Sequence, residues 1–109
     1  MTAKELAKAL ELEVLSIPSA EKEVTGAYAG DLLSWVMGRA PEDSAWLTVM
    51  GNINSIAVAT LADVSCIVLV ENAALDENAR AKAEMHEVNI LLSKENSYHL
   101  AVKLHELLS

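Results

Sequence analysis

The chain has 109 residues, 52% hydrophobic and 22% charged, with 16 acidic against 8 basic side chains and a formal net charge of -8. Length and composition suit one globular domain, and they exclude intrinsic disorder and a second independent core. Nucleic acid and anionic membrane surfaces bind through clustered Lys and Arg, so an acidic chain without a basic cluster is expected to bind neither.

At the N-terminus, Thr2 with Glu5 three residues on forms a capping-box pattern. Ala3, Leu6, Ala7 and Leu10 then recur on one helical face. Val14-Leu15 runs into Pro18-Ser19, so residues 1–22 are expected to be a helix and turn preceding a core of residues 23–109. Glu23 to Ala29 is weakly strand-like. Asp31 is placed to cap a helix over Leu32 to Arg39. In that helix Leu32, Leu33, Trp35, Val36 and Met37 cover most of the circumference, which predicts burial on two sides, by its own domain and by something else, for which another chain is one candidate.

Ala45 to Met50 has the β-branched and aromatic content of a strand, stopped by Gly51-Asn52. Apolar residues at Ile53, Ile56, Ala57 and Leu61 have helical spacing, although Ile56 to Thr60 reads equally well as extended chain. Cys66 to Val70 is a short, continuous aliphatic run, as expected of a parallel strand covered on both faces. Asp76 is placed to cap a helix to Glu87 with Asp76–Arg80 and Arg80–Glu84 pairs. Asn89 to Leu92 is a further strand, and Asn96 caps a last helix with a stripe of Leu100, Ala101, Leu104, Leu107 and Leu108. The alternation predicts an α/β single domain: a mostly parallel sheet with flanking helices and right-handed crossovers.

The lone cysteine, Cys66, excludes an internal disulfide and reads as a core residue. With no apolar leader and no apolar run long enough for a membrane span, a cytoplasmic location is expected.

In open α/β sheets ligands bind beyond the carboxyl ends of the strands. Here those ends carry Gly51, Asn52, Asn54, Glu71, Asn72, Ser93 and Lys94. Parallel strands would gather these residues on one edge, where helix N-termini suit an anionic group such as phosphate. The Asn residues also serve there as ordinary caps and turn formers. His86, His99 and His105 lack ligand spacing, so no metal is expected. No Gly-x-Ser-x-Gly or phosphate-binding Gly-rich loop occurs, so neither an enzyme nor a bound cofactor is expected. Leu33, Trp35, Val36 and Met37 are the candidate subunit interface, since aromatics are enriched at such contacts.

Gly30-Asp31-Leu32-Leu33-Ser34-Trp35-Val36-Met37, then Trp46 to Asn52, Ile67 to Val70 and Val88 to Leu92, resemble the DRTGG domain found in some phosphotransacetylases and in pyrophosphatases carrying CBS domains. That domain is similar to the N-terminal domain of HPr kinase/phosphorylase, whose kinase activity resides elsewhere. The five-residue signature naming the family is absent, and Glu71-Asn72 stands where a Gly pair commonly follows the strand. The resemblance implies a non-catalytic regulatory or accessory domain, usually a homodimer, with a regulatory protein as partner, while the convergence of strand ends and helix N-termini points to a small anionic metabolite or nucleotide as ligand. The alternative is a dimerisation or protein-interaction module with no small-molecule ligand.

Overall fold

The computed structural model describes residues 1–109. The elements run α1 (Ala3–Ala9), β1 (Glu13–Ser16), β2 (Gly26–Ala29), α2 (Leu33–Arg39), β3 (Ser44–Thr48), α3 (Ile53–Ala62), β4 (Cys66–Leu69), α4 (Glu77–Met85), β5 (Ile90–Leu92) and α5 (Ser97–Leu108). They build a five-stranded sheet in the order β1-β5-β4-β3-β2. β2, β3, β4 and β5 are mutually parallel, and β1 closes the far edge antiparallel to β5. The central strand is β4, and its uninterrupted aliphatic run is buried throughout because both faces are covered.

Strands that follow one another in space and in sequence, joined by right-handed crossovers, put their connecting helices on one side. Accordingly α2, α3 and α4 cover one face, around Trp46, Ile67, Leu69 and Ile90. α1 and α5 cover the other, around Leu47, Val68, Val70 and Leu91. Alternate side chains along each strand therefore feed two separate cores.

The capping box on α1 forms as its sequence requires, with Thr2 Oγ1 accepting from the Glu5 amide at 3.1 Å and Glu5 Oε1 from the Thr2 amide at 2.8 Å. Backbone and side-chain hydrogen bonds to the Glu5 carboxylate hold it below the ordinary glutamate range. Residues 1–22 are more than a helix and turn. Ala3, Leu6 and Ala7 are core residues, and Glu13–Ser16 joins the sheet beside β5 with an irregularity between Val14 and Ser16. A four-residue strand with one polar and one exposed face carries too little periodicity to stand out.

Three expectations for the helices are corrected. α3 is helical, but its buried face is Ser55, Ile56, Val58 and Ala59, while Ile53, Ala57 and Leu61 point outward. Apolar residues lie on both the inner and the outer side of the helix, so spacing alone did not select its inner face. Neither Asp31 nor Asp76 caps a helix through its side chain. The Asp76–Arg80 and Arg80–Glu84 pairs give way to longer reaches: Arg80 donates to the Leu15 carbonyl at 3.2 Å, and Glu84 accepts from Ser16 Oγ at 2.8 Å. Both tie α4 to the β1 edge, the Ser16–Glu84 bond part-buried and the Arg80 bond exposed, in place of exposed pairs worth a few tenths of a kcal/mol.

Candidate functional site

The carboxyl ends of β3, β4 and β5 do lie along one edge of the sheet, and backbone contacts join them in sequence. Gly51 packs against the β4–α4 loop so closely that a Cβ would lie 2.1 Å from the Ala74 carbonyl oxygen. The Gly51 carbonyl accepts from the Asp76 amide at 2.9 Å. On the other side of that loop the Glu71 amide donates to Glu95 O at 2.8 Å, and the Asn72 amide to Ser93 O at 2.9 Å. The three loops thus form a continuous ridge.

β4 leads to α4 on one face of the sheet and β5 leads to α5 on the other. The β4–β5 boundary is therefore where connections diverge, the position at which open α/β sheets form a crevice. Here the Glu71 and Asn72 bonds span it. Both residues take left-handed backbone conformations, φ 56° and 55°, which a side chain disfavours and glycine does not.

Several of the predicted site residues are occupied structurally. Asn52 Oδ1 accepts from the Asn54 and Ser55 amides at 3.0 and 3.2 Å, capping α3. Ser93 is buried, and its Oγ accepts from the Glu95 amide at 3.1 Å. Asn54 turns away from the ridge into a groove between α3 and α4. Lys94 is exposed and opens onto a separate groove of about 460 Å³ shared with Glu11, Glu13 and Lys103. Lys103 pairs with Glu95 at 2.9 Å. The edge gathers the backbone of all three loops, but it divides their side chains between two sides of the ridge.

Sequence reading missed the roles of two polar side chains, Asp31 and Asn89. Asp31 Oδ1 accepts from Thr48 Oγ1 at 2.7 Å and from the Val49 amide at 2.9 Å, fastening the start of α2 to the end of β3. At the opposite edge Asn89, 1% exposed, donates to the Ser19 and Ser65 carbonyls at 2.8 and 2.9 Å and accepts from the Ser19 amide at 2.9 Å. Both act across long stretches of chain, which no local pattern encodes. Of the candidate interface residues, Val36 is buried in the domain's own core and Leu33 packs partly against it. Trp35 and Met37 are about half exposed, and Leu32 beside them is exposed as well. Arg39 lies over the Trp35 ring, 3.7 Å from its centroid. Within this chain the helix is covered on one side, by the domain's own core, and its Leu32, Trp35 and Met37 side faces outward.

Burial pushes the Cys66 thiol up to about 12, so at neutral pH it holds its proton and is no nucleophile. No cluster of three His, Cys, Asp or Glu side chains is arranged to hold a metal ion. No helix is long and apolar enough to cross a membrane.

No family model matches the chain. No curated protein matches it in sequence. Among solved structures it is similar to the CBS and DRTGG domains of the regulatory region of Clostridium perfringens pyrophosphatase, a structure complexed with the activator diadenosine tetraphosphate. The match has a TM-score of 0.69 at 13% identity and covers 94% of this chain but 45% of that one. The chain thus spans less than half the length of this neighbour, and at that identity the likeness establishes a DRTGG-like fold.

Proposed function

We propose, from the premise of a DRTGG-like fold, that this chain is a non-catalytic regulatory domain that senses a small anionic metabolite or nucleotide at its carboxyl edge. The observation that carries the reading is the β4–β5 boundary. There Asn72 and Lys94 are exposed on loops held rigid by backbone bonds, and no protein carboxylate pairs with Lys94. The fold neighbour supports it, since that regulatory region was solved with a nucleotide activator. Asn52 and Gly51 serve this edge by shaping it: one caps α3 and the other lets two loops touch. Lys94 supplies the charge, with Lys103 available if an anion displaces Glu95.

Thermal unfolding of the purified protein against diadenosine tetraphosphate, ATP and acetyl phosphate tests the proposal. A ligand at 100 times its dissociation constant stabilises the fold by about 2.7 kcal/mol. For a domain of this size that raises the midpoint by roughly 10–20 °C, at about 4–8 °C per kcal/mol. Lys94→Ala should remove most of the shift without changing the midpoint of the free protein. A flat response to all three compounds overturns the sensing role.

A second reading rests on α2. Trp35, Met37 and Leu32 form an exposed apolar group on a short helix, suited to a homodimer contact or a protein partner. Sedimentation equilibrium decides it: a dimer split by Trp35→Glu supports the contact, and a monomer at all concentrations removes it.

A further inference from the structure

The outer helix layer contains a groove that the carboxyl-edge reading does not use. It lies between α3 and α4 and encloses about 520 Å³, within the range of small-molecule sites. Its α3 wall is mainly apolar, built from Ile53, Ile56, Ala57 and Leu61 with Asn54 and Thr60 beside them. Three of these sit at i, i+4 and i+8, so the wall runs roughly 12 Å along the helix. Ala57 in the middle leaves a depression between two larger side chains. Leu61 is 71% exposed, which nothing in the fold of this domain requires.

The α4 wall is different. Lys82 and His86 line it one helical turn apart, and neither enters an ion pair or a side-chain hydrogen bond. Across the groove there is no carboxylate to meet them. In a chain with twice as many acidic as basic residues, two unpartnered nitrogen-bearing side chains facing one apolar wall mark a place that lacks its counter-charge.

We infer that the α3–α4 groove binds a small amphipathic anion, an aromatic or acyl group carrying one carboxylate, sulfonate or phosphate. The apolar body lies along Ile53, Ala57 and Leu61, and the anionic head meets Lys82 Nζ and an N–H of His86. A neutral apolar ligand would leave the Lys82 charge unanswered, and a bare anion would leave the wall wet. The chemistry of the two walls calls for both halves in one molecule. This site stands independently of the carboxyl edge, because Lys94 takes no part in it.

The probe is 8-anilinonaphthalene-1-sulfonate, an aromatic sulfonate whose fluorescence rises when it leaves water, titrated into the full chain beside its uncharged analogue N-phenyl-1-naphthylamine. The expected result is saturable binding of one sulfonate per chain, with the neutral analogue weaker by about tenfold, the loss of one charge-assisted contact. Lys82→Gln should bring the two probes to similar affinity. Ala57→Trp, which fills the depression at an exposed helix position, should abolish binding of both. Far-ultraviolet circular dichroism and a cooperative thermal transition confirm the native fold of each variant. Absence of saturable binding overturns the site, as does binding that survives Ala57→Trp or ignores Lys82→Gln. Lys94→Ala leaves this binding unchanged, which separates its outcome from that of the carboxyl-edge test.

Discussion

On the face of the sheet covered by α1 and α5, the side chains that meet solvent are mostly charged or polar: Lys4, Lys8, His99, Lys103, His105 and Glu106, with Tyr98 and Val102 among them. On the face covered by α2, α3 and α4, the outer surface carries Leu32, Trp35, Met37, Ile53, Leu61 and Met85 beside the charged Arg39, Glu77, Arg80 and Glu84. Inside, the two faces are equivalent, with 13 buried apolar residues packed on one and 12 on the other. Core formation therefore does not explain the outer difference. Single exposed apolar side chains are ordinary, whereas a contiguous group of them marks an interaction surface. The exposed large apolar side chains are thus concentrated on the α2–α3–α4 layer rather than on the α1–α5 face.

The two tryptophans give the sharpest version of this contrast. Trp46 is fully buried with its Nε1 donating to the Gly30 carbonyl at 2.8 Å, while Trp35 lies 52% exposed. Trp46→Ala should cost about 3–5 kcal/mol, and Leu47→Ala on the opposite face about 2–5 kcal/mol, both read by denaturant unfolding. Loss at only one face would show that the two cores unfold separately and would break the comparison. Gly51→Ala should cost about 1–3 kcal/mol, because its Cβ meets a carbonyl oxygen and one loop must shift. Trp35→Ala should change stability by about 0.5 kcal/mol or less, as expected of a surface residue outside the core. A large loss there would make the exposed tryptophan structural and return the outer layer to the role of its partner face.

Much of the architecture was legible in the chain. The continuous run at Cys66 to Val70 reads as a central strand because burial on both faces forbids polar residues. Thr2 and Asn96 read as caps because their partners lie within three residues. The alternation after Trp46 reads as a parallel sheet because each crossover needs a helix to return the chain. β1 escaped because four residues pairing antiparallel at an edge leave little pattern. The α3 face escaped because apolar residues lie on both sides of the helix, and only the position of α3 over β3 and β4 decided which residues turned inward.

The candidate site divides the same way. Its residues share an edge for a reason visible in the alternation, since parallel strands end together. Which side chains are free and which are consumed was decided in three dimensions. Gly51 is consumed by contact with Ala74, Asn52 by the α3 amides, and Ser93 by Glu95. Lys82 and His86 became notable only when the fold set them against an apolar wall contributed by another helix. Local order, set by periodicity and by caps within a few residues, is written in the sequence itself. Contacts between loops and helices distant in the chain depend on how the elements pack, and only the tertiary structure decided those.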